Sequence, residues 1–193
     1  MSYAIKAILN DDGEWELDVL AIPFGGTDSD GQYFDADTDT MPDVFKTPAI
    51  VYYHGINPDS RSVQPHPTLI GRAVSVIKKA DGWHVRVVLD KAHEYAKRIW
   101  EAAKRGLAAA SSGSIAHLSR MADGSMYDKR TPGRIGVWAF AELSLIDIGE
   151  GRAPANQYAV ALPALKAVYQ LAGIDLPEID DTQELEGAGE AQA

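Results

Sequence analysis

Two apolar runs, Leu69-Ile70-Gly71-Arg72-Ala73-Val74-Ser75-Val76-Ile77 and Trp83-His84-Val85-Arg86-Val87-Val88-Leu89, flank Ala80-Asp81-Gly82. β-Branched residues on either side of an Asp-Gly pair predict an antiparallel hairpin, because the turn matches the twist of the strands it joins. The start of the chain repeats the pattern. Tyr3–Leu9 and Glu14–Ile22 flank Asn10-Asp11-Asp12-Gly13, with Trp15, Leu17 and Val19 alternating onto one face. Further extended runs cover Ala49–Tyr53, Leu107–Leu118 and a long Ile135–Ile148. A loop of Gly and Asp spans Gly25–Asp39, and a Pro-rich loop spans Pro58–Pro67. Only Lys91–Arg105 carries a clear helical period, with Tyr95, Ile99 and Ala103 spaced by four and Gly106 placed to end the helix. A second, short helix is expected over Pro163–Ala172, ended by Gly173. These elements predict a mainly β fold of the α+β type, a β-barrel core with a few helices packed outside.

At 193 residues the chain is long enough for one substantial core. Of the net charge of −10, seven units sit in residues 175–193, which hold no Lys or Arg, so residues 1–174 carry only −3. The expected organisation is one domain over 1–174 and an acidic, unstructured tail over 175–193, a segment suited to trimming or to continuing into a longer precursor. With no basic stripe interleaved with aromatics, nucleic acid is not an expected partner. No run approaches the roughly 18 apolar residues of a membrane span, and the first residues lack a secretory signal, so the chain is expected in the cytoplasm without a membrane partner.

Cysteine is absent, which removes thiol nucleophiles, disulfides and cysteine-based zinc sites together. His93-Glu94-Tyr95-Ala96-Lys97 lacks the second His of a zinc-protease helix, and the acids Asp28, Asp30, Asp35, Asp37 and Asp39 do not follow the ligand spacing of a calcium loop. Neither a metal nor a cofactor is expected.

The small-residue segment Ala108-Ala109-Ala110-Ser111-Ser112-Gly113-Ser114 is the least ordinary stretch. Small side chains admit a substrate close to the backbone, and an acyl-transfer serine needs an exposed hydroxyl, a base, and amide N–H groups for the oxyanion. Among the five histidines, His84 belongs to a hairpin strand and His66 lies between two prolines. His117 is separated from Ser111 by six residues, about 20 Å of extended chain, unless the chain doubles back. His54, at the end of the Ala49–Tyr53 strand, is the best base, and its distance of 57 residues from Ser111 is no obstacle to a triad. Two carboxylates compete to orient it: Glu142, which interrupts an apolar strand, and Asp147 on the opposite face of that strand.

In this order, several short motifs resemble those of the prohead serine proteases of tailed phages, whose fold is similar to that of the herpesvirus assemblin proteases. They are Gly26-Thr27-Asp28-Ser29-Asp30-Gly31-Gln32-Tyr33-Phe34, Tyr52-Tyr53-His54-Gly55, Ile70-Gly71-Arg72, Arg105-Gly106-Leu107 leading to Ser111-Ser112-Gly113, Ala141-Glu142-Leu143-Ser144-Leu145-Ile146-Asp147, and Pro154-Ala155-Asn156. Together they span roughly residues 20–165. Ala110 and Ser112 depart from the bulky apolar residues usual beside the family's nucleophile, which brings in Ser112 as the alternative nucleophile. Ser111 is preferred because Gly113 stands two residues downstream, with the amides of Ser112 and Gly113 at the oxyanion.

The resemblance implies an assemblin-like fold and a serine endopeptidase with His54, Ser111 and Glu142 as its triad. It further implies scaffold and major capsid protein as substrates, autoproteolysis, a homodimer, and a location inside the assembling prohead. The alternative is a barrel of the same architecture without catalytic activity, acting as a scaffolding or interaction domain.

Overall fold

The computed structural model describes residues 5–9, 13–28, 30–55 and 68–147. Along the chain, β1 (Ile5–Leu9), β2 (Trp15–Pro23), β3 (Gln32–Tyr33) and β4 (Ala49–Tyr52) come first, and a 3-10 turn over Tyr53–Gly55 follows. Then come β5 (Leu69–Lys79), β6 (Gly82–Leu89), α1 (Glu94–Lys104) and β7 (Ala108–Ser114). After a second 3-10 turn over Ala116–Leu118, the last strands are β8 (Arg120–Met121), β9 (Gly133–Val137) and β10 (Phe140–Asp147).

Seven strands form one sheet in the order β1-β2-β6-β5-β4-β10-β7. The sheet curls until β7 lies against β2, so that the six strands from β2 to β7 nearly close a barrel. Alternation explains what fills it. Leu17 stands opposite Val87 and Val19 opposite Val85, and all four are fully buried in the main core with Ile50, Tyr52, Leu143 and Leu145. The molecule is mainly β, and α1 is the single α-helix among the described residues.

The helix packs against β1, β5, β7 and β10 and buries Ala96, Ile99, Trp100 and Ala103. Trp100 stacks on Trp15 with ring centroids 5.4 Å apart. Each large apolar side chain buried here stabilises the fold by about 1.5–3 kcal/mol relative to exposure. His93 caps the helix N-terminus by accepting a hydrogen bond from the Tyr95 amide, and Gly106, at φ +69°, supplies the left-handed residue that ends it. The helix therefore starts three residues later than its periodicity predicts, because Asp90 first turns the chain by accepting a bond from the Ala92 amide.

The predicted single strand Ile135–Ile148 is two strands in two sheets. β9 joins a small sheet of order β3-β9-β8, whereas β10 enters the barrel wall. At the break, the amide of Trp138 donates to the Asp39 carbonyl and that of Ala139 to the Ser119 hydroxyl. The Gly25–Asp39 segment holds the short β3. Its acids build turns: Asp28 accepts from the amides of Asp30 and Gln32, and Asp39 from that of Met41. The Pro-rich loop with His66, Pro154-Ala155-Asn156, the Pro163–Ala172 helix and the acidic tail all lie outside the described residues. Among the described residues, no helix is long and apolar enough to cross a membrane.

The hairpin of β5 and β6 turns through Ala80-Asp81, and Gly82 is already paired with Pro23. At φ +149°, a Cβ on Gly82 would lie 2.3 Å from the Ile22 carbonyl oxygen and 2.7 Å from Leu20 Cδ1. Gly82→Ala is accordingly expected to lower stability by about 3 kcal/mol, read as a shifted urea midpoint at unchanged slope.

Candidate active site

Three adjacent strands, β4, β10 and β7, carry the residues singled out by the sequence. β4 runs parallel to β10 with Ala49 opposite Glu142 and Val51 opposite Ser144. β7 runs antiparallel on the other side, with Gly113 opposite Glu142 and Ser111 opposite Ser144. Partners across a ladder share a face. One face therefore carries the rows Ala49–Glu142–Gly113 and Val51–Ser144–Ser111. The other carries Ile50–Leu143–Ser112 and Tyr52–Leu145–Ala110, with Ile50, Tyr52, Leu143 and Leu145 in the main core. Ser111 and Ser112 thus lie on opposite faces of the sheet, and only Ser111 shares a face with Glu142.

His54 reaches this face through an unusual backbone. After β4 ends, Tyr53 and His54 adopt φ of +47° and +53°, and Gly55 follows at +72°. Two consecutive non-glycine residues in the left-handed region cost roughly 1–3 kcal/mol each and persist only where other contacts hold them. Those contacts are specific. The His54 amide donates to Ser144 Oγ at 2.7 Å, the Tyr53 hydroxyl to the Asp147 carbonyl at 2.8 Å, and the Tyr52 hydroxyl to the Asp147 carboxylate at 2.9 Å. The reversal turns the imidazole back over β10, where Nδ1 lies 2.6 Å from Glu142 Oε1.

His54 and Glu142 are 2% and 1% exposed, so the contact between them is shielded from solvent screening. A carboxylate only accepts, so Nδ1 carries the shared hydrogen and Nε2 presents its lone pair in the neutral ring. Nε2 has no hydrogen-bond partner among the described residues. The half-buried Ser111 hydroxyl and the imidazole therefore occupy one face without being hydrogen-bonded to each other. This arrangement is suited to accepting a proton from a group brought against Nε2.

The two candidate carboxylates are separated by their surroundings. Asp147 receives Arg98 of α1 at 3.0 Å in addition to Tyr52, whereas Glu142 receives the imidazole. Burial, then the bond to Asp147, push the Tyr52 phenol well above its ordinary value, which keeps it a donor.

Gly113 serves Glu142 directly. A Cβ there would lie 3.1 Å from the Cβ, Cδ and Oε2 atoms of Glu142. Gly113→Ala is expected to push the carboxylate off the imidazole and to lower any His54-dependent rate about 100-fold. Circular dichroism should be unchanged, and the 2.6 Å contact lengthened in a crystal structure. In an unbulged strand successive amides point to opposite edges, so only one of the Ser112 and Gly113 N–H groups faces away from β10, towards an incoming oxyanion.

The other three described histidines stand apart. His84 bridges Asp81 and Asp18 on the hairpin surface, and the bond to His84 holds the Asp81 carboxyl below its usual range. His93 caps α1, and His117 is exposed in the turn after β7. Sequence reasoning about single residues missed Ser144 and the Tyr52–Asp147–Arg98 cluster. The usable signal was spacing: Ser144 lies two residues from Glu142, hence on its face.

Among the described residues no cluster of His, Asp and Glu is arranged to hold a metal. No protein-family model matches the chain, and no curated protein or solved structure resembles it significantly.

Proposed function

We propose that this chain is a serine endopeptidase that uses Ser111 as nucleophile, His54 as base and Glu142 as the group that orients the base. The observation that carries the proposal is the buried 2.6 Å pair of His54 and Glu142, on the face that Ser111 shares across β10. Burying a carboxylate and an imidazole is costly, and a pair whose second ring nitrogen has no partner among the described residues is poised for proton transfer.

In the reaction, His54 Nε2 takes the proton of Ser111 Oγ as that oxygen attacks a peptide carbonyl. The outward amide of Ser112 or Gly113 binds the oxyanion. As the intermediate collapses, the C–N bond breaks and Nε2 returns the proton to the leaving amine. Water then attacks the acyl-enzyme with Nε2 again as base, which restores Ser111. Glu142 holds the ring in the required tautomer and stabilises the transient imidazolium. The contact between Nε2 and Oγ closes when substrate orders the site, as is common for catalytic hydrogen bonds.

The motif resemblance supports the substrate class: scaffold and major capsid protein segments of an assembling phage prohead, and the enzyme's own acidic tail. The setting is the prohead interior in the host cytoplasm, with a homodimer as the expected assembly and an assemblin-like fold. Incubating the purified chain with its cognate scaffold tests this by mass spectrometry. Cleavage by wild type and none by Ser111→Ala supports the proposal. An uncut scaffold in both, with the chain stable over time, favours the inactive scaffolding barrel.

A further inference from the structure

The barrel wall is open between β7 and the end of β2, and a small cleft of about 80 Å3 lies there. Ala21 and Pro23 line one side of it and Ala110, Ser111 and Ser112 the other. Whatever fills the cleft therefore sits against β7 at the residues around the proposed nucleophile.

The rest of the lining is aromatic and electronegative. Trp138 meets Phe34 and Tyr127 edge to face, with centroids 5.3 and 5.1 Å apart. Gln32, only 1% exposed, donates through Nε2 to the carbonyls of Asp128 and Thr131, which leaves its Oε1 buried without a partner among the described residues. The Tyr127 hydroxyl is likewise unpaired. Burial, then Asp28, Asp30 and Asp128, push the Tyr127 phenol well above its ordinary value, so this wall feels the field of three carboxylates. The indole N–H of Trp138 also has no hydrogen-bond partner among the described residues.

From these features we infer that the cleft holds a Lys or Arg side chain of the peptide substrate, beside the scissile bond, an inference that rests on the peptidase reading above. A basic side chain brings an apolar stem for Phe34 and Trp138, a cation for the aromatic faces, and N–H donors for Gln32 Oε1 and the Tyr127 oxygen. A carboxylate side chain brings none of these donors and is repelled by the acids around Tyr127.

Two readouts test the inference on the full chain. In the first, peptides that differ at one residue beside the scissile bond carry Lys, Arg, norleucine, Gln or Glu. Lys and Arg should be cut at least about tenfold faster than norleucine, the gain of one charge-assisted hydrogen bond. Asp28→Asn keeps the oxygen that caps Asp30 and Gln32 but loses the charge, and Tyr127→Phe keeps the ring. Both should lower the Lys-to-norleucine ratio severalfold.

In the second, N-acetyl-lysine methylamide should shift the Trp138 indole N–H resonance saturably, and its norleucine analogue should not. Cleavage with no preference, or with a preference for Gln or Glu, overturns the inference and leaves the peptidase reading intact. No cleavage, but a lysine-specific shift that Asp28→Asn weakens, upholds the cleft's selectivity and overturns the peptidase reading. Neither cleavage nor shift overturns both.

Discussion

Ser111→Ala is expected to reduce peptide cleavage by about 10⁶-fold, whereas Ser112→Ala should stay within roughly tenfold of wild type. The contrast follows from strand geometry. Ser111 stands opposite Ser144 on the face where His54 and Glu142 pair, and Ser112 stands opposite Leu143 on the other. A one-residue shift would place the hydroxyl on the wrong side of the sheet from the His54 imidazole. Rates for both variants, measured on one peptide under single-turnover conditions, check this. A dead Ser112→Ala beside an active Ser111→Ala would require β7 to pair with β10 one residue out of register.

The second large effect belongs to the buried pair. Glu142→Gln preserves shape but removes the charge and lets the amide donate to Nδ1, which moves the ring hydrogen to Nε2, the wrong nitrogen for a base. A loss of about 10⁴ in kcat is expected, with little change in KM. Asp147→Asn should leave the tautomer of His54 untouched, because Asp147 serves Tyr52 and Arg98.

The pair also has a stability signature. His54→Ala strands a buried carboxylate and should cost about 3–5 kcal/mol. The double variant His54→Ala/Glu142→Ala removes both polar partners and should be more stable than His54→Ala alone. Denaturant unfolding of His54→Ala, Glu142→Ala and the double variant completes the cycle, and strict additivity would deny the coupling.

How much of this was legible beforehand depends on how local each determinant is. The β5–β6 hairpin was, because its turn residues and alternation lie within about twenty positions of one another. The core face of β2 was, since Leu17 and Val19 alternate as a half-buried strand requires. The split of the last strand was not, because apolar residues run through Trp138 and Ala139 without a break. What parts β9 from β10 is the hydrogen bonding of those two amides to Asp39 and Ser119, distant in sequence.

Within the site, the candidates His54, Ser111 and Glu142 could be named from motifs. The choice between Glu142 and Asp147 needed the parallel register of β4 on β10, a non-local pairing. The left-handed turn at Tyr53 and His54 had only a weak signal in residue type, His54 and Gly55, since histidine enters the left-handed region more often than most residues but Tyr53 does not favour it. Ser144 looked like an ordinary strand residue until its hydroxyl was seen to hold the His54 amide.

The most direct measurement is labelling with a fluorophosphonate, which reacts with a serine hydroxyl only when a neighbouring base activates it. Wild type should gain a single adduct mapped to Ser111 by peptide mass spectrometry, and His54→Ala and Glu142→Gln should label at least about 100-fold more slowly. Labelling at another residue, or labelling of Ser111 at an equal rate in wild type and His54→Ala, would contradict the triad.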